Sequence, residues 1–312
     1  MNERFPGIRF AASVLGHGFY FPLRSMKICR FRESSSAEIR IGLVRNDAVI
    51  QDLTPFGVTS LQPILEQEDP IAYLERLSKT PSSTCISIAQ VTLCAPVEGQ
   101  EVWAAGVTYL RSKKARMEES DFSASAYDRV YEAARPEIFF KSIAEKVVPT
   151  GDLVGIRRDA RWNVPEPELA LVINSRGQVV GCTIGNDMSS RDIEGENLLY
   201  LPQAKVYHRS CALGPWITLG VKEPDVRNWK IQIEIYRAGQ RVFAGDTSVS
   251  QLKRSFEELA SYLFRSQEFP RGVVLLTGTG VVPDESFTLQ ADDDVHIEIS
   301  GVGRLRNRVT LV

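Results

Sequence analysis

A long tract, residues 137–248, sets what this chain can fold into, because strand-like apolar runs follow one another there at short turns. A tract this dense in strands predicts a closed or folded-over sheet rather than a flat one. One clear amphipathic helix follows, with Leu252, Phe256, Leu259 and Leu263 on one side, a stripe that reads as core packing. The chain then returns to strands in "GVVLLTGTGVV", "DVHIEIS" and "RNRVTLV". The expected class is α+β and β-rich, with few helices.

Upstream of the tract the pattern is mixed. "EIRIGLV", a turn at "RND" and "AVIQDL" resemble a hairpin. Ile71, Leu74 and Leu77 have helical spacing, with Pro70 near the helix start. "CISIAQVTLCAPV" reads as strand again, and the polar turn "EGQE" closes a small α+β unit over residues 26–98. Residues 99–312 form the second unit. It opens with the strand "EVWAAGVTYL" and a helix-prone segment from Ser112 to Arg135, where Tyr127, Val130, Tyr131 and Ala134 recur before Pro136. Residues 1–25 have neither strand nor helix period, and "GHGFYFPLRS" lacks the apolar core and cleavage site of a targeting peptide. They are expected to be a disordered extension.

Charge and cysteine content exclude several classes. A net charge of -2 in 312 residues gives no electrostatic footprint for nucleic acid or an anionic membrane. No apolar run approaches the roughly 20 residues that span a bilayer. Five cysteines, an odd number without a CxxC pair, read as reduced thiols in a cytoplasmic protein.

The residues that carry chemistry lie in "NVPEPELALVI", residues 163–173. Alternate residues of a strand share a face, so Glu166 and Glu168 point the same way, followed by Ala170 and Val172. Pro165 and Pro167 limit ladder hydrogen bonds and mark a strand end or edge. Two carboxylates this close repel, which leaves solvent exposure, protonation of one, or a shared cation. A third acid, Asp187 in "GCTIGNDMSSRD", returns from the turn at "NSRG" to the same end of the hairpin. Three carboxylates without histidine or cysteine are hard oxygen ligands, suited to Mg²⁺, Mn²⁺ or Ca²⁺ rather than zinc. They would leave about three octahedral positions for water or a chelating substrate.

Together, "PEPELALVI", "GCTIGNDMSSRD", "ALGPWITLG", "TGTG" and "ISGVGRLRNRV" resemble the fumarylacetoacetate hydrolase family over roughly residues 100–310. The resemblance implies a mixed β-roll catalytic domain, a homodimer, and a divalent metal, Mg²⁺ or Mn²⁺, held by Glu166, Glu168 and Asp187. The carbon–carbon hydrolases of that family carry an "NYxxH" segment. Here the matching stretch is "VTYLRS", with Thr108 for the asparagine and Ser112 for the histidine. The three histidines, His17, His208 and His296, all lie elsewhere. "VYEAARPEIFFKS", "RDIEGENLLYLPQAKVYHRSCALGP" and "LLTGTGVVP" are most similar to the branch that dehydrates 2-keto-3-deoxy-D-arabinonate, which also lacks the histidine.

That likeness implies a 2-oxo acid substrate that chelates the metal through its carboxylate and keto oxygens. The metal stabilises an enolate as a C3 proton leaves, the C4 hydroxyl departs, and tautomerisation gives 2,5-dioxopentanoate. The candidates for base and acid are Glu137, Lys141 and Lys205. In an extended "PEIFFK", Glu137 and Lys141 share a face with Phe139 between them, and could equally form a plain salt bridge. Thr279 in the glycine-rich "TGTG" is a candidate for the substrate carboxylate. Thr108, Tyr109 and Gln203 are lesser binding candidates. The competing readings are an acylpyruvate hydrolase, an oxaloacetate decarboxylase, or a non-catalytic domain stabilised by metal.

Overall fold

The computed structural model describes residues 25–34, 36–79, 84–110 and 129–312. The expectations for residues 1–24, His17, Ser112, Tyr127 and most of the helix-prone segment fall outside the described residues.

The N-terminal part contributes β1 (Met26–Glu33), β2 (Arg40–Arg45), β3 (Val49–Asp52), α1 (Gln62–Leu65), α2 (Pro70–Ser78), β4 (Cys85–Ser87) and β5 (Val91–Cys94). The order continues with β6 (Glu101–Gly106), β7 (Glu137–Ser142), β8 (Leu153–Ile156), β9 (Asn163–Val164), β10 (Pro167–Ile173), β11 (Val179–Asp187) and β12 (Ser189–Ser190). Two short helices, α3 (Arg191–Glu196) and α4 (Leu201–Lys205), precede β13 (Cys211–Leu219) and α5 (Glu223–Val226). The remainder is β14 (Lys230–Arg237), β15 (Gln240–Ser248), α6 (Phe256–Leu263), β16 (Val273–Leu276), β17 (Asp294–Ile299) and β18 (Gly303–Leu311).

The strands form an eleven-stranded sheet in the order β4-β3-β2-β1-β13-β11-β10-β16-β6-β7, with β5 beside β1. A five-stranded sheet, β15-β14-β17-β18-β8, packs against it. Both are mixed, since β16 runs parallel to β6 and β18 parallel to β8. The class is α+β and β-rich, as the strand-dense tract requires. The N-terminal strands share the large sheet, because Met26 on β1 pairs with Leu219 on β13.

The centre of the large sheet explains the apolar run in β10. Leu169, Leu171 and Ile173 pack with Ile231, Ile233 and Leu305 on one face. Ala170 and Val172 pack with Ile28, Ile41 and Leu74 on the other. Both faces are buried, so the strand reads as continuously apolar rather than alternating. Each of the leucine, isoleucine and valine side chains among them stabilises the fold by about 1.5–3 kcal/mol through burial.

The helices start where their caps allow. Asp69 accepts a 2.9 Å hydrogen bond from the Ala72 N–H, and Pro70 opens α2. Ser255 caps α6 by accepting from the Glu258 N–H at 3.0 Å. Leu252 is buried as expected but lies before that cap, so the helical stripe is Phe256, Leu259, Ala260 and Leu263. Among the described residues no helix is long and apolar enough to cross a membrane.

Candidate active site

The β10–β11 hairpin gathers the acids. Glu168 lies opposite Gly185 and Pro167 opposite Asn186, and the Asp187 N–H donates to the Glu166 carbonyl at 3.0 Å. Glu166, Glu168 and Asp187 each offer an oxygen within 4.8 Å of the others. Their exposures of 4%, 2% and 1% exclude the solvent-exposed alternative. Pro167 sits at the strand end, where β16 does not reach: that strand pairs only with Ala170–Ile173.

Buried carboxylates need cations or donors. The Lys205 ammonium donates to Glu166 Oε2 at 2.7 Å, Asp187 Oδ2 at 2.9 Å and Ser189 Oγ at 2.6 Å. It stands at the end of helix α4. Arg191 Nε contacts Glu166 Oε1 at 3.1 Å. Lys141 is fully buried, pairs with Asp187 Oδ1, and donates to the Met188 carbonyl at 3.0 Å and to the Lys205 carbonyl. Glu168 accepts from the Gly278 N–H at 2.6 Å. Burial, with the charges of Asp187 and Glu166, holds the Glu168 carboxyl well above the usual carboxylate range.

The triad opens on a narrow pocket of about 370 Å³ among the described residues. Glu137, Phe139, Lys205 and Thr279 also line it. Strand β7 is extended, so Glu137, Phe139 and Lys141 share a face as expected. Glu137 lies opposite Gly106, where an added Cβ would stand 2.1 Å from Glu137 Oε2, so the missing side chain makes its seat. Val107, also on the wall, has φ +52°, a left-handed conformation that is an outlier for a β-branched residue.

The other candidates lie outside this wall. Thr108 donates to the Thr277 carbonyl at 2.6 Å and abuts Gly278, supporting the turn that binds Glu168. Tyr109 is buried against Gly280, and burial, then the Glu168 charge, pushes its phenol up. Gln203 is exposed on α4, its carbonyl accepting from Arg157 at 3.0 Å. Lys141 does not line the pocket but holds Asp187 from outside it. Neither His208 nor His296 lines it, and His296 stacks on Tyr236 with ring centres 5.0 Å apart. Arg191 and Glu194 do line it, and sequence reasoning did not single them out. The signal was the charged run "RDIEGE" directly after the strand that delivers Asp187. A more spacious cleft of about 600 Å³, near Val179, Val221 and Phe264, lies at the opposite end of β11 from Asp187.

The donor set fits a hard divalent cation. Among the described residues, five carboxylates line the pocket, Glu137, Glu166, Glu168, Asp187 and Glu194. They face three cations among the described residues, Arg191, Lys205 and the adjoining Lys141. All the triad donors are carboxylate oxygens within reach of one another, which suits a hard divalent ion.

The chain is similar to proteins of known family. The model of the fumarylacetoacetate (FAA) hydrolase C-terminal family matches residues 101–310. The chain is 48% identical over 217 residues to the Haloferax volcanii protein named "Probable 2-keto-3-deoxyxylonate dehydratase", covering 70% of this chain and 74% of that one. It is 38% identical over 221 residues to 2-dehydro-3-deoxy-D-arabinonate dehydratase of Saccharolobus solfataricus, again covering 70% and 74%. A solved structure of 2-keto-3-deoxy-D-arabinonate dehydratase complexed with magnesium and 2,5-dioxopentanoate superposes with a TM-score of 0.73 and 31% identity, covering 92% of this chain and 99% of that one. On the extent of these matches, the chain belongs to the fumarylacetoacetate hydrolase family.

Proposed function

We propose that the protein is a Mg²⁺-dependent hydro-lyase that converts a 2-keto-3-deoxy sugar acid, 2-keto-3-deoxy-D-arabinonate or a related pentonate, into 2,5-dioxopentanoate. One observation carries the reading: three buried carboxylates, Glu137 and Lys205 share one pocket that no histidine of the described residues lines. The dehydratase relatives support the choice of reaction.

Glu166, Glu168 and Asp187 would hold the ion, with Mn²⁺ as the substitute of similar chemistry. When bound, it supplies Lewis-acid polarisation of the 2-oxo group, which acidifies the C3 protons. Lys205 has three N–H donors, matched by its three short contacts to Glu166, Asp187 and Ser189, and this favours a fixed ammonium over a base. Glu137 is therefore the group that takes the C3 proton and passes a proton toward the departing C4 hydroxyl. Water leaves, and a proton shift along C3–C5 yields the aldehyde without any change in net oxidation state. Thr279 binds the substrate carboxylate, Thr108 and Tyr109 support that turn, and Lys141 positions Asp187. Gln203, exposed beside the Lys205 helix, would contribute only at the pocket entrance.

We further propose a homodimer or larger homo-oligomer in the cytoplasm. The family likeness and the absence of any disulfide among the described residues support this, and sedimentation tests the assembly.

Incubation with Mg²⁺ and 2-keto-3-deoxy-D-arabinonate should yield 2,5-dioxopentanoate. No product, alongside cleavage of an acylpyruvate or decarboxylation of oxaloacetate, would replace this reading with another member of the family's repertoire.

A further inference from the structure

Asp187 and Ser189 both reach the Lys205 ammonium, while Met188 between them packs into the core. Ser189 is fully buried and lies behind the pocket wall rather than on it. Its hydroxyl makes two bonds of opposite sense. It donates to the Asp187 carbonyl at 3.0 Å and accepts from the Lys205 ammonium at 2.6 Å. A hydroxyl has a single proton, so the first bond leaves only lone pairs to face Lys205, which must be the donor in the second. The same ammonium reaches Glu166 and Asp187, two of the metal triad. A bound ion would draw on the charge of those two carboxylates. The Ser189 oxygen carries no charge to share and would stay with Lys205.

We propose that Ser189 is a positioning residue for Lys205: its hydroxyl, committed to the Asp187 carbonyl, holds the ammonium at the pocket wall while the carboxylates serve the metal. The positive charge that meets the negative charge developing on the substrate is then fixed in place before the reaction, and a preorganised charge costs no rearrangement when it is needed. Ser189 thus acts through Lys205 and touches neither substrate nor ion. The proposal rests on the dehydratase reading only for its kinetic consequence; the hold on Lys205 is independent of the reaction.

The test is proton–nitrogen NMR of the lysine ammonium groups in the Mg²⁺-loaded full chain, labelled on its lysines. Exposed ammonium protons exchange with water too fast to observe, whereas a buried, hydrogen-bonded ammonium gives a protected signal. The Lys205 signal is the one that Lys205→Met removes. Ser189→Ala should speed its exchange by about tenfold or more, the loss of one hydrogen bond from a charged donor. Ser189→Thr, which keeps the hydroxyl, should keep the protection. Ser255→Ala, which removes a distant helix cap, should leave the signal unchanged. In the dehydration assay Ser189→Ala should lower kcat by about tenfold and keep KM within about threefold, because the ammonium matters most as charge develops. An unprotected Lys205 in the wild type overturns the proposal even if Ser189→Ala fails to fold. Unchanged exchange or unchanged kcat in a folded Ser189→Ala overturns it too, as does equal acceleration in Ser255→Ala. The predicted exchange without any turnover by the wild type would sink the assigned reaction and keep the hold on Lys205, and turnover with unchanged exchange would do the reverse.

Discussion

Lys205 is the residue on which the electrostatics of the pocket turn. Its ammonium ties Glu166 to Asp187 and leaves Glu168 with the Gly278 N–H as its backbone donor. Removing one partner from a buried ion pair costs about 3–5 kcal/mol, because the other charge stays buried. Lys205→Met should therefore lower the melting temperature of the metal-free protein, keep divalent-ion binding, and slow dehydration by about 100-fold or more. Product formation and Mn²⁺ binding measured together check this; an unchanged rate would remove Lys205 from the mechanism. The triad was legible in the sequence because strand period and one hairpin suffice to place Glu166, Glu168 and Asp187 together. Arg191 and Glu194 were not, because charged residues in a short helix look the same whether they face solvent or a pocket. Lys141 in its apolar strand was visible, but its partner Asp187 comes from a distant segment, and only the fold shows that pairing.

At the scale of elements, the turn after β16 is the most exacting. Gly278 has φ +92°, and a Cβ there would lie 2.0 Å from Thr108 Oγ1 and 2.9 Å from the Ala105 carbonyl. Gly278→Ala should cost at least about 1 kcal/mol of stability and also displace the N–H that holds Glu168, lowering activity. Chemical denaturation and the dehydration assay check both effects. Ser255→Ala should cost only about 1 kcal/mol, as a lost helix cap, and leave the chemistry intact. Strands and the longer helices were readable because each shows several periods of its pattern. Helix α4 leaves no signal in the sequence, since five residues span barely more than one turn and carry no periodicity. Leu252 was assigned to the helical stripe because its spacing matches, whereas the Ser255 cap starts the helix later.

For the molecule as a whole, the small and large units proposed from sequence, residues 26–98 and 99–312, share one sheet through β1 and β13. The shared ladder predicts a single cooperative unfolding transition; two resolved transitions would mark independently stable units. Thiol chemistry gives a second global test. Cys85 is exposed, whereas burial pushes the Cys182 and Cys211 thiols up to about 12 and raises Cys29 as well. Native labelling should modify Cys85 first and leave the three buried thiols untouched until unfolding. Rapid labelling of Cys182 would contradict the packing of β11. The overall class was legible because strand density leaves few architectures, but the order of strands in the large sheet was not, since β1–β13 and β16–β6 join segments far apart in sequence.

The central claim is that one hard cation, held by Glu166, Glu168 and Asp187, makes this pocket a dehydratase. The most direct measurement is the rate of 2,5-dioxopentanoate formation from 2-keto-3-deoxy-D-arabinonate by the wild type with Mg²⁺, after chelation, and by Glu168→Gln with Mg²⁺. The account predicts turnover in the first case only, with losses of about 100-fold or more in the other two. Equal rates with and without the chelator, or full activity of Glu168→Gln, would contradict it.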